Sequence, residues 1–354
     1  MSARPIAWFA DIGLADRPRV GGKGASLGEI LRAGGATPPG FVVAAAAFER
    51  FMHAFDPAGE TRRRIAAIDP SDHASLSSVC AEVRAAILGA RLPGELTDAI
   101  ADAYRALGDG VDAPVAVRSS ATSEDSADAS FAGLQDTFLW IIGAGGVVDA
   151  VKRCWASLYS LESVGYRLRL KLPEDDVAMA VVVQRMVDAR CAGVMFTRSP
   201  LTGDKSVIVI EGAWGLGSAV VGGEVTPDRF VVNKITGEIK QRTVSRKTLQ
   251  HVPDAARGAV AALDVPEERR SIACLSDAEI AALATTGRMI EKHYGCPQDI
   301  EWAFEQGADA PWLLQARPET VWSAREREKT AIVEAKANPM AHVLSALTNR
   351  TLGR

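Results

Sequence analysis

Three places in this 354-residue sequence put charge or metal-binding oxygen where a polyanion could sit. The first is Lys23, flanked by glycines in VGGKGASLGEIL. Glycines let backbone approach an anion, and the helix opened here, with Leu27, Ile30 and Leu31 on one face, favours negative charge at its start. It is not a P-loop: GxxxxGK[ST] needs glycine where Arg17 stands, and Lys23 is followed by Gly24. A lysine on a phosphate and an exposed turn lysine both fit the motif. The second place is Arg118, which ends the apolar run PVAV and opens a small, polar, acidic stretch that turns apolar again only at Phe138 and Leu139. A loop so long inside a compact domain is functional or disordered, and this one reads as a mobile cover over a bound anion. A Ser/Ala-rich interdomain linker is the alternative. The third is a hairpin. Along DIEWAF, Ile300, Trp302 and Phe304 face one way and Glu301 the other; along WLLQARP, Trp312, Leu314 and Ala316 share a face, leaving Gln315 and Arg317 opposite. Carboxylate and amide oxygens suit Mg²⁺, and an adjacent arginine would pair with the same phosphates. A solvated strand face with a Glu–Arg ion pair is the alternative.

Two weaker signs accompany these. Gln184, Arg185, Met186 and Val187 close an apolar strand whose end can offer backbone groups to a purine, with Met186 packing on the ring; it is otherwise simply a strand end. Gly212 to Gly223, GAWGLGSAVVGG, fails the GxGxxG pattern at Val220 and reads as a glycine turn packed under a nucleotide lobe. The five histidines form no cluster, so each reads as structural or surface. Lysine, arginine and an oxygen-ligand hairpin together are what a triphosphate with Mg²⁺ needs, since phosphoryl transfer demands mainly positioning and charge neutralisation.

The elements that must position these residues are legible in outline. Residues 60 to 108 read as Ala-rich helices broken at Pro93-Gly94, and the apolar spacing from Val148 to Leu161 predicts one long helix over about 146 to 170. Strands are predicted at Gly40 to Ala47, Val177 to Val187, Ala192 to Thr197, Val207 to Ile210, Phe230 to Val232 and, after a Thr236-Gly237 turn, Glu238 to Val244. Ser276 with Glu279 forms a capping box for a helix carrying Ile280, Leu283, Gly287, Ile290 and Tyr294 and stopping at Gly295. The last strands are Asp299 to Phe304 and Trp312 to Arg317. The fold class is α+β or mixed α/β, with at least two lobes.

Composition bounds the rest. Apolar content of 47% and charged content of 24% are those of a globular protein with a sizeable core. A net charge of −4 gives no footprint for nucleic acid or an anionic membrane. The five scattered cysteines argue against a disulfide framework and a structural zinc site. No secretory leader or long apolar run is present, which predicts a cytoplasmic protein.

VGGKGASLGE, AVRSSATSEDSADASFAGLQDTFL, GVMFTRSP, AWGLG, DIEWAF and LLQARPET, in this order, resemble the N-terminal nucleotide-binding domain of phosphoenolpyruvate synthase and pyruvate phosphate dikinase, an ATP-grasp fold whose lobes sandwich the nucleotide. The resemblance covers residues 1–322. It implies ATP and Mg²⁺ as cofactors, with Lys23, Arg118 and Arg317 on the phosphates as the catalytic set and Glu301 and Gln315 on the metal. Gln184 to Val187 would meet adenine, and Thr137 would lie near the phosphates. The phosphate cover would span about 118–137 and the metal hairpin about 299–317. The family's histidine domain has no counterpart motif here, so the layout resembles split dikinases such as phenylphosphate synthase and cresol-phosphorylating enzymes. A separate phosphohistidine subunit would then be the partner, serving a small acceptor such as a phenolic compound. A fragment of a phosphoenolpyruvate synthase or rifamycin phosphotransferase, and a catalytically idle nucleotide-sensing subunit, are the alternatives. Residues 323–354 read as a helical tail, with Met340, Val343, Leu344 and Leu347 as an apolar stripe for partner docking or for packing back on the domain.

Overall fold

The computed structural model describes residues 4–122, 125–126, 129–130, 136–174, 177–254, 257–323 and 325, with backbone alone at 125–126 and 129–130. Its first sheet contains β1 (Ile6–Trp8), β2 (Gly40–Val43), β3 (Val115–Ala121), β6 (Thr137–Ile141) and β7 (Met179–Arg185), while β4 (Asp125–Ser126) and β5 (Ala129–Ser130) pair separately. The order is β1-β2-β7-β3-β6, antiparallel throughout. The unbroken valines of β7 follow from burial on both faces. Val181 and Val183 join Phe41, Val43, Val115 and Val117 in a core under α2 (Ala45–Phe55), α4 (His73–Gly89), α5 (Gly94–Leu107), α6 (Ala144–Ser157) and α7 (Leu161–Leu170); the short α3 (Glu60–Ala66) precedes α4. Ala180 and Val182 face the other way, onto α1 (Arg17–Arg32).

The second sheet is β11-β10-β9-β8-β14-β15, built from β8 (Ala189–Phe196), β9 (Val207–Trp214), β10 (Asp228–Asn233), β11 (Ile239–Thr243), β14 (Gln298–Glu305) and β15 (Trp312–Pro318). Helix α10 (Asp277–Tyr294) packs Ile280, Leu283 and Ile290 into the same core as Met195, Ile210 and Trp302. Its capping box is present, and it ends where Gly295 adopts φ 69°, both as the sequence predicts. A ribbon of β12 (Leu249–Asp254) and β13 (Ala259–Asp264) stands apart from both sheets in hydrogen bonding. The short α8 (Ser218–Val221) and α9 (Glu267–Arg270) complete the fold. Helix α1 serves both sheets: Val20, Leu27 and Ile30 share one core with Val42 and Val182 of the first and with Ile300, Leu313 and Ala316 of the second.

Several expectations need correction. The predicted helix over 146–170 is two, because Ser160 caps α7 by accepting the Ser163 amide at 3.1 Å. The strand from Gly40 ends at Val43, and Ala45 to Ala47 already belong to α2. Leu31 is exposed rather than sharing the buried face of Leu27 and Ile30. The polar segment after Arg118 does not begin as a loop, since β3 runs on to Ala121 with Ser119 and Ser120 buried. Residues 123–124, 127–128, 131–135 and 326–354 lie outside the described residues, and with them much of the expected cover and the tail stripe. Among the described residues all five cysteines are free, and no helix is long and apolar enough to cross a membrane.

Candidate functional site

Facing residues of the two sheets enclose a cavity of about 680 Å³. Arg118 of β3 reaches across it to the second sheet. One terminal nitrogen donates to the Leu314 carbonyl at 3.1 Å; the other donates to Glu301 Oε2 at 3.1 Å and to Gln315 Oε1. The side chain is buried, and its Nε–H has no hydrogen-bond partner. An unsatisfied buried donor costs about 1–3 kcal/mol, which an anionic acceptor entering beside the guanidinium would recover.

A bulge arranges the opposing residues. Glu301 pairs with Gln315, but Trp302 pairs with Leu313, so Leu314 is an extra residue in β15. An extra residue leaves backbone groups unpaired, and here the Leu314 carbonyl takes Arg118. The bulge also corrects the expected facing of this strand. Leu313 joins Trp302 and Ala316 in the main core, whereas Trp312 and Leu314 pack on a separate apolar patch with Met186.

Lys23 reaches the cavity through a kink. Gly21 has φ 72° and ψ 174°, which interrupts α1 and restarts it just before the lysine. A Cβ on Gly21 would lie 2.2 Å from the Ser120 carbonyl oxygen. The Ser120 hydroxyl donates to the Val20 carbonyl at 3.0 Å and accepts from the Gly24 amide at 3.2 Å. Ser120, two residues after Arg118, therefore pins the lysine turn against β3. Thr137, paired with Arg118 in β6, is exposed and lines the cavity too.

Arg317 lines the cavity with its side chain about half exposed, and its Nε lies 3.4 Å from Asp299 Oδ2. Asp299 was not singled out from the sequence, although it shares the parity of Glu301 two residues on. Burial pushes its carboxyl above the usual range, against the pull of Arg317. Among the described residues no three His, Cys, Asp or Glu side chains gather as a metal cluster. The oxygen set of Asp299, Glu301 and Gln315 still fits Mg²⁺, which takes few protein ligands and completes its shell with water and substrate phosphates.

The strand end Gln184 to Val187 forms another wall. The Gln184 amide is buried and donates from Nε2 to Thr37 Oγ1 at 3.1 Å, which fixes its orientation. The backbone amides of Arg185 and Met186 donate to the Pro39 and Pro114 carbonyls, each at 2.9 Å. They are thus not available to a purine, as the sequence reading had allowed; the Arg185 side chain is exposed. Val187, Ala189, Ala192, Leu216 and Ala303 make an apolar surface with Met186 and Leu314, suited to a flat ring. Leu216 belongs to the glycine turn, which lines the cavity with Leu216, Gly217 and Ser218. His251, read from the sequence as structural or surface, touches a lining residue: its Nδ1 lies 2.8 Å from Ser218 Oγ.

Known proteins resemble this chain along most of its length. The family described as pyruvate phosphate dikinase, AMP/ATP-binding domain, matches residues 17–338. A probable phosphoenolpyruvate synthase of Methanothermobacter thermautotrophicus is 45% identical over 318 residues, 89% of this chain and 46% of the relative. The phosphoenolpyruvate synthase of Aeropyrum pernix is 41% identical over 378 residues, 97% of this chain and 46% of the relative. A probable phosphoenolpyruvate synthase of Methanocaldococcus jannaschii is 43% identical across 93% of this chain and 28% of its own length. The chain thus spans less than half the length of these relatives.

Proposed function

Because this chain belongs to the pyruvate phosphate dikinase AMP/ATP-binding domain family, which is of ATP-grasp type, we propose that it binds ATP with Mg²⁺ and transfers the β,γ-pyrophosphoryl group to a histidine outside its own cavity. The observation that carries this reading is Arg118, buried between two metal-suited oxygens with its Nε–H unsatisfied. Lys23, Arg118 and Arg317 would neutralise the phosphates, with Thr137 beside them. Asp299, Glu301 and Gln315 would hold Mg²⁺, which would supply positive charge against that of the phosphates. The apolar wall of Val187, Leu216 and Leu314 would take adenine, within reach of the oriented Gln184 amide.

In the transfer a histidine nitrogen attacks the β-phosphorus, and the bond from that phosphorus to the bridging oxygen breaks, so AMP leaves with the oxygen. Hydrolysis of the resulting pyrophosphohistidine then releases inorganic phosphate. Among the described residues no histidine lines the cavity, which favours an acceptor on another domain or subunit. The relatives' names favour pyruvate as the final acceptor. A separate histidine subunit serving a phenol is the other arrangement, raised by the resemblance to split dikinases.

The test mixes the purified chain, Mg²⁺ and β-labelled ATP with a histidine-domain protein of the family. Equal AMP and phosphate, with acid-labile label on the histidine protein, are expected; ADP as the product, or turnover indifferent to that protein, would overturn the proposal. Supplying pyruvate or phenol in turn then sorts the acceptors.

A further inference from the structure

Ser218 opens α8 and lines the cavity next to Leu216 and Gly217. Its hydroxyl lies 2.8 Å from Nδ1 of His251, and the other ring nitrogen, Nε2, faces Glu224 Oε2 at 3.4 Å. Backbone fixes the imidazole in place. The Leu216 amide donates to the His251 carbonyl at 2.8 Å, and His251 forms an isolated parallel bridge with Gly215. Gly215 has φ 77°, and a Cβ there would lie 2.3 Å from the His251 carbonyl oxygen, so only glycine allows the ribbon so close.

The three side chains form a directed chain. A carboxylate beside Nε2 selects the tautomer that carries hydrogen on Nε2. Nδ1 is then an acceptor, and the serine hydroxyl donates to it. With its one proton committed, Ser218 Oγ can offer a ligand only lone pairs. It therefore calls for a donor in the cavity, which excludes ionised phosphate. Of the groups on ATP, the adenine amino group and the ribose hydroxyls can donate. Ser218 stands between Leu216, in the apolar patch, and Val221, which lines the cavity yet is 65% exposed. The base fits the patch, so the sugar falls at the more open position.

Resting on the reading of this cavity as an ATP site, we infer that Ser218 recognises the sugar by accepting a hydrogen bond from a ribose hydroxyl. His251, oriented by Glu224, is the positioning residue that keeps the serine oxygen an acceptor.

Calorimetric titration with Mg·ATP, Mg·2′-deoxy-ATP and Mg·3′-deoxy-ATP tests this. The wild-type chain should bind one deoxy analogue about 3- to 10-fold more weakly than ATP, the effect of one hydrogen bond. Ser218→Ala and His251→Phe should bind ATP as weakly as that analogue and leave the analogue's own affinity unchanged, while Ser218→Thr should keep the discrimination. A structural role would instead weaken all three nucleotides equally, and that result overturns the inference, as does Ser218→Ala retaining the preference for ATP. Failure of the wild-type chain to bind any of the nucleotides would overturn the ATP reading itself, and the inference with it.

Discussion

Arg118 satisfies two side-chain oxygens and a carbonyl on the far sheet because its guanidinium is a planar fork of five donors. Lysine offers a point charge and cannot span these acceptors. Arg118→Lys should leave the melting temperature near wild type while lowering the rate of AMP formation by about 100-fold or more, the usual effect of removing a preorganised charge. A lysine variant within a few-fold of wild type would remove the fork from the mechanism. Lys23, Arg118, Thr137, Gln184 to Val187, Glu301, Gln315 and Arg317 could all be named from residue type and alternation, and all line one cavity. What escaped were contacts set by long-range geometry. The bulge at Leu314 shifts strand parity by one residue and has no sequence marker, and Ser218 and His251 meet only through the docking of a separate ribbon. Asp299 needed nothing beyond the alternation already applied to Glu301.

At the level of elements, the kink at Gly21 carries most of the consequence. Left-handed backbone and a near contact with Ser120 both require glycine there. Gly21→Ala should destabilise the chain by about 1–3 kcal/mol in chemical denaturation and weaken ATP binding, because Lys23 follows directly on the displaced turn. Unchanged stability together with unchanged affinity would show that the turn relaxes freely. The elements themselves were largely readable: β-branched apolar runs located most of the predicted strands, and the Ser276–Glu279 box placed the start of α10. Where helix pattern ran continuously across Ser157–Ser160, periodicity alone hid the break, since a serine cap competes locally with continued helix.

The molecule as a whole has a core that belongs to neither sheet alone, because α1 buries one stripe against both. Central strand β7 lies between β2 and β3 in space yet follows both along the chain, with Val42 opposite Val182 and Val117 opposite Val183. Chains cut before Met179 should therefore stay open to protease, and a compact resistant product from a chain ending at Leu170 would contradict this. On the ribosome, β2 and β3 emerge first and can find no permanent neighbour in the first sheet's centre until β7 follows. Each then presents a row of bare amides and carbonyls flanked by valines, the kind of edge that other chains also recognise. Translation speed between residues 121 and 185, and any chaperone that shelters apolar strands during that interval, would thus set how much of this protein reaches its native state before it can be measured for anything else.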